Sequence, residues 1–177
     1  MSKIAVVYWS GTGNTEAMAE AVVEGAKEKG AEVSLLTASE FSPEQVSEYD
    51  AIAFGCPSMG SEQLEESEFE PMFTACEGQL SGKSIALFGS YGWGDGEWMR
   101  SWEARCNDDG ANLVCDSVIC NEAPDEEALS ACRVLGAALA RENREAPASF
   151  MVIYSFLSTH LLLAGTCNLL RVVVSYG

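Results

Sequence analysis

The sequence predicts a doubly wound α/β domain, a parallel sheet with helices on both faces. Two observations carry this. Short apolar runs alternate with segments of helical period, strand then helix, five times along the chain. The first run also ends in a Gly-rich turn that opens directly into a helix, as a buried parallel strand does. The 47% hydrophobic content supplies a core, so a disordered acidic tail protein is excluded.

Lys3 to Trp9 (KIAVVYW) is the first strand. Asn14 to Lys29 follows as a helix, with Met18, Ala21, Val22, Gly25 and Ala26 on one face and Glu16, Glu20 and Glu24 opposite. Gly30 is its C-cap. Glu32 to Thr37 is the second strand. Ser42-Pro43-Glu44 opens a short helix, with Ser as N-cap and Pro at the first helical position. Ala51 to Cys56 is the third strand, Phe69 to Glu77 a helix, and Ser84 to Gly89 the fourth strand. Glu97 to Asn107 is a helix closed by Gly110. Asn112 to Cys120 is read as one fifth strand, and Asp125 to Glu142 as the last helix.

Composition removes several function classes. The 177 residues carry 27 acidic and 10 basic side chains, a formal net charge of -17. So acidic a surface repels phosphate backbones and anionic membranes, so nucleic acid is no expected partner. His160 is the one histidine, which leaves the folded part without Ser-His-Asp, Cys-His or most zinc chemistry. The seven cysteines include no C-x-x-C pair, so they read as scattered reduced thiols of a cytoplasmic protein. Met-Ser-Lys runs straight into a strand, so no secretory signal is expected.

In a doubly wound fold, ligands sit beyond the carboxyl ends of the strands, where strand order reverses. Three unusual loops fall there. Ser10-Gly11-Thr12-Gly13-Asn14-Thr15 joins a strand to a helix N-terminus, where free N–H groups and the helix dipole attract an anion. It lacks the Walker A lysine and the third glycine of G-x-G-x-x-G. With no basic residue, it suits a resident monophosphate held by neutral donors. A well-capped turn without ligand is the alternative. The second loop contains Met59-Gly60-Ser61-Glu62. The third is Ser90-Tyr91-Gly92-Trp93-Gly94-Asp95-Gly96, with a large ring set between glycines. A flat heteroaromatic ligand could lie between Met59 and Trp93 with its phosphate in the first loop. The alternative for Trp93 is a ring folded back on its own domain.

Three stretches then resemble the flavodoxins, and in particular the short-chain members: YWSGTGNTE (Tyr8 to Glu16), MGSEQLEESEFEP (Met59 to Pro71) and ALFGSYGWGDGEWMR (Ala86 to Arg100). The resemblance covers about residues 1–144. It implies a five-stranded sheet of order 2-1-3-4-5 and an FMN cofactor. It also implies a low-potential one-electron carrier rather than an enzyme. Ser10, Gly11, Thr12, Gly13, Asn14 and Thr15 would hold the FMN phosphate. Met59, reached through Ser58, and Trp93 would flank the isoalloxazine ring. The Gly60–Ser61 peptide would turn its carbonyl to flavin N5 once that atom is protonated. Glu62 and the backbone of Tyr91, Gly92, Trp93 and Gly94 would hold the pyrimidine end. Ser90 and Asn121 would serve the ring or ribityl side. Ser61 stands where close relatives often carry Asp, and Pro57 and Ala123 also depart from the pattern.

The resemblance makes the partners redox proteins, reductases and ferredoxin-dependent enzymes. Glu62, Glu65, Glu66, Glu68 and Glu70 could steer a basic docking face on such a partner, or form only a solvated face. Full reduction would leave an anionic flavin beside an acidic protein, which lowers the second potential. An FMN-dependent quinone or nitro reductase on the same fold is the competing function. It would need an open pocket beside the ring, which Met59 and Trp93 would cover.

The composition changes at Pro147. All acidic residues precede Ala146, and residues 146–177 carry only Arg171 as a charged side chain. The division expected is an FMN-binding domain at 1–145 and an apolar extension at 146–177. Residues 148–170 lack Asp, Glu, Lys and Arg, a length that can span a bilayer, but their Ser, Thr, His and Asn make a weak span. Three readings stand: a membrane anchor on the cytoplasmic side, a packed or self-associating segment, or a non-native extension. Membrane association is expected through this segment or not at all.

Overall fold

The structure is a computed structural model and describes residues 1–142. The extension at 146–177, with its proposed span at 148–170, lies outside the described residues. Among the described residues no helix is long and apolar enough to cross a membrane.

The strands are β1 (Lys3–Tyr8), β2 (Glu32–Thr37), β3 (Ala51–Gly55), β4 (Ser84–Tyr91), β5 (Asn112–Leu113) and β6 (Val118–Asn121). The helices are α1 (Asn14–Glu28), α2 (Phe69–Glu77), α3 (Glu97–Asp108) and α4 (Glu126–Glu142). Two 3₁₀ turns, Ala38–Glu40 and Pro43–Glu48, follow β2, and both carry capping boxes, from Thr37 and Ser42. All strand pairs are parallel. The order is β2-β1-β3-β4-β5, with β6 also paired to β4. This is the order expected.

The fifth strand is not continuous. Ile85 of β4 faces Leu113, whereas Phe88 faces Val118. The edge chain therefore advances five residues while β4 advances three. The two surplus residues cannot stay in a flat ladder, so the edge bulges over Val114–Ser117. Ser117 Oγ there donates to Glu103 Oε1 on α3 at 2.5 Å, in place of a strand contact. The strand β4 also runs two residues further than expected and takes Ser90 and Tyr91 out of the loop.

Side chains alternate across the sheet as a two-residue period requires. Ile4, Val6 and Tyr8 pack with α1 and α4, while Ala5 and Val7 pack with α2 and α3. On the first face the helices nearly touch. A Cβ at Gly25 would lie 1.9 Å from the Arg133 carbonyl oxygen, and one at Gly136 would lie 2.0 Å from that of Val22. Only glycine allows this approach. The second face holds an aromatic cluster. Phe69 and Phe73 each meet Trp102 edge-on at 5.4 Å, and Phe54 meets Phe73 at 5.2 Å. Arg105 ties α3 to α2 through Glu70, Glu77 and Thr74. These contacts hold the carboxyl ends of β1, β3 and β4 side by side.

The described cysteines are free thiols. Burial pushes Cys106 and Cys132 up to about 12, so they stay protonated and unreactive at neutral pH.

Candidate functional site

The chain goes from β1 to β2 on one side and places β3 on the other, so strand order reverses between β1 and β3. The loop after β1 opens α1 there. Gly13 is the N-cap, with φ +91° and no side-chain cap hydrogen bond. The first-turn N–H groups of α1 thus lack a cap of their own and face the loop's concavity. Ser10 Oγ accepts from Gly13 N at 3.0 Å and closes the turn. Thr15 is buried and its Oγ1 lies 3.1 Å from Ser90 Oγ, which joins this loop to the end of β4. Gly11 and Thr12 are exposed.

The other two loops are tied to this one. Ser58 N donates to Ser90 O at 2.9 Å, and Trp98 Nε1 donates to Cys56 O at 3.2 Å. Met59 and Gln63 exchange backbone hydrogen bonds of 2.8 and 2.9 Å, which pinch Gly60, Ser61 and Glu62 into a tight hairpin. Gly60 and Glu62 take φ +50° and +53° in it. Glu62 Oε1 accepts from Gly96 N and Glu97 N at 3.2 and 3.0 Å, so this carboxylate caps α3. Gly94, at φ +89°, is where the Glu62 side chain crosses. A Cβ there would sit 2.4 Å from its carboxyl.

A cavity of about 240 Å³ joins the three loops. Gly11, Thr12 and Asn14 line it together with Ser58, Met59, Ser90, Tyr91 and Gly92, whereas Ser10, Thr15 and Trp93 do not. Trp9, Pro57 and Glu122 also line it, and the sequence reading did not single them out as site residues. Pro57 stood there only as a departure from a family pattern. Trp9 was legible as the residue just before the Ser10–Thr15 loop. Glu122 was not, since its place depends on its N–H donating to Tyr91 O at 2.7 Å. Asn121 reaches the same carbonyl through Nδ2 at 3.2 Å, an exposed tie between β6 and β4 rather than a cavity wall. Trp93 is 60% exposed and Met59 39%. The ring of Trp93 is therefore not folded back on its own domain. A largely apolar concavity with a few polar groups and an exposed Met59 on its wall suits a flat, amphipathic ligand.

The acidic segment before α2 is not the uniform face that its sequence suggests. Glu65 is buried, and its carboxylate accepts from the N–H groups of Ser67, Glu68 and Phe69 at 2.8, 2.9 and 3.0 Å. Burial alone would raise its pKa. The three donors outweigh burial and hold the carboxyl below its ordinary value. Glu68 Oε2 accepts from Trp9 Nε1, and Glu70 pairs with Arg105 at 2.7 Å. Of the five acids read as docking candidates, Glu62, Glu65, Glu68 and Glu70 are thus engaged within the fold. Glu66 is exposed.

A parallel α/β sheet with an uncharged anion loop at its switch point, and exposed apolar side chains opposite, defines a mononucleotide-binding domain. A family profile described as Flavodoxin matches residues 6–136. The flavodoxin of Megasphaera elsdenii is 46% identical over 78% of this chain and 98% of its own length. That of Clostridium beijerinckii is 48% identical over 68% of this chain and 88% of its own. The solution structure of two-electron reduced M. elsdenii flavodoxin superposes with a TM-score of 0.72, over 78% of this chain and 98% of that one. The chain belongs to the flavodoxin family. It is therefore an FMN-binding electron carrier rather than an enzyme, and the quinone or nitro reductase reading is not favoured. Its partners are redox proteins.

Proposed function

We propose that the three loops hold FMN in the orientation that the cavity suggests. The phosphate lies on the α1 N-terminus among Ser10, Thr12, Asn14 and Thr15, and the ring lies between Met59 and Trp93. The carrying observation is that one small cavity is lined both by Gly11, Thr12 and Asn14 of the first loop and by Met59 of the second, with Trp93 exposed on the third loop just past the lining residue Gly92. When bound, FMN supplies one-electron chemistry in two successive steps. The loop after β3 then acts on the ring edge. Gly60, already at positive φ, lets the Gly60–Ser61 peptide reorient at low cost, so its carbonyl can accept a proton donor there. The acidic surroundings oppose added negative charge and make the carrier a low-potential one.

Electrons pass between reductases and ferredoxin-dependent enzymes that present basic docking faces. Glu66, exposed and lining a cleft of about 590 Å³ beside the Ser61–Glu62 turn, provides the steering charge, whereas Glu97 on the same cleft is paired with Arg100 at 2.7 Å. The protein works in the cytoplasm, with an FMN-binding domain at 1–145 and an apolar extension at 146–177. Stopped-flow reduction by a partner reductase tests the docking. Glu66→Gln slightly flattens the salt dependence of the rate, since one exposed charge is worth little. An unchanged slope removes the docking reading. Fractionation of the full chain against one ending at Glu145 tests whether the extension brings the protein to a membrane.

A further inference from the structure

Trp9 is the last residue before the anion loop, and its backbone N–H donates to Gly55 O at 3.0 Å as the final rung beside β3. Its indole lies against the loop. A Cβ added to Gly11 would sit 2.9 Å from Trp9 Cη2 and 3.2 Å from Cζ3. The other edge of the ring is held from a distant part of the chain, because Nε1 donates to Glu68 Oε2 at 2.9 Å across 59 positions. The Glu68 backbone is itself held, since its N–H donates to the buried Glu65 carboxylate. The Glu65 N–H in turn donates to Cys56 Sγ at 3.3 Å, at the end of β3. A chain of contacts therefore runs from the root of the loop after β3, through Glu65, Glu68 and Trp9, to the floor of the anion loop.

We propose that Glu68 is a positioning residue for the anion loop: through Trp9 it sets the loop shape that accepts the cofactor phosphate. This rests on the reading that the loop binds the FMN phosphate. The physical reason is leverage on a rigid ring. An indole held at one edge by packing and at the other by a charge-assisted hydrogen bond has one orientation. Released at Nε1, the ring tilts, and Gly11 loses the surface that it rests on. The sign of the effect separates this role from simple electrostatics. Removing a carboxylate near an anion site tightens anion binding. Removing a positioning carboxylate weakens it.

The test uses the full chain stripped of flavin and titrated with FMN, riboflavin and inorganic phosphate. Trp9→Phe keeps the ring but removes the donor. Glu68→Leu removes the acceptor, and Glu68→Gln keeps one. Trp9→Phe and Glu68→Leu are expected to weaken FMN binding about five-fold, with riboflavin unchanged and Glu68→Gln near the parent. The double variant loses no more than either single one. Tighter or unchanged FMN binding, equal weakening of riboflavin, or additive losses would overturn the proposal. If the parent protein binds FMN no better than riboflavin, and phosphate does not compete with FMN, the underlying phosphate reading fails and the positioning role fails with it. If the parent discriminates and the variants discriminate equally, the positioning role alone fails.

Discussion

The anion loop and the two ring-side loops meet at one cavity but are built on different terms. In the anion loop, Ser10 closes the turn, Thr15 is buried against Ser90, and the helix N-terminus points at the site. At the ring side, Met59 and Trp93 are exposed, and the turn between Met59 and Gln63 carries positive φ at Gly60 and Glu62. The first is assembled before a ligand arrives. The second keeps apolar surface and backbone freedom in reserve. With FMN placed as proposed, affinity is best placed at the anion loop, where preorganised donors cost little to use. Tuning is best placed at the ring end, where contacts can differ among redox states.

Four substitutions can break or sharpen that contrast. Thr15→Val removes a buried hydroxyl and leaves Ser90 Oγ without its partner. It is expected to weaken FMN by about 2.5 kcal/mol and riboflavin far less, read by fluorescence titration of stripped protein. Equal losses for the two ligands would show that the anion end is not specialised.

Glu65→Ala removes the acceptor of three backbone N–H groups and is expected to cost about 2 kcal/mol in denaturant unfolding. Its folded carboxyl is held below the unfolded value, so its contribution is full at neutral pH. That contribution is lost as pH falls below about 4.3 and through the folded value. The parent and variant stabilities should therefore converge in acid, and parallel pH profiles would refute the role.

Trp93→Ala removes the exposed ring and is expected to weaken FMN and riboflavin alike by about 1.5 kcal/mol. A loss confined to FMN would contradict the division between ends. Gly60→Ala places a side chain at φ +50° at a cost of about 1 kcal/mol. Potentiometry should show the two one-electron potentials shifting relative to each other by about 40 mV, with oxidised FMN affinity little changed.

Much of the fold, and the cluster of loops at the candidate site, could be read directly. The apolar runs located the central strands within one or two residues, because continuous Val, Ile and Ala runs bounded by turns have few other uses. The helix Phe69–Glu77 and the strand Glu32–Thr37 matched their expected bounds. The anion loop was visible because a strand, a Gly-Thr-Gly turn and a helix are contiguous. The break in the fifth strand was not visible, since the surplus of two residues exists only relative to β4. The fates of the acids were hidden for a similar reason. Glu65, Glu66 and Glu68 are near neighbours of one type in the sequence. One is buried under three N–H groups, one is exposed, and one holds an indole 59 positions away.

The sequence by itself determined the layered α/β architecture, the donor composition of the loop after β1 and the change in composition near Pro147, because period, glycine placement and charge are local properties. Only the tertiary structure decided which carboxylates are engaged, where the edge strand breaks, and that Trp9 and Glu122 share the cavity. Those depend on distances between residues far apart in the chain, which the packing of α2 and α3 on the sheet sets.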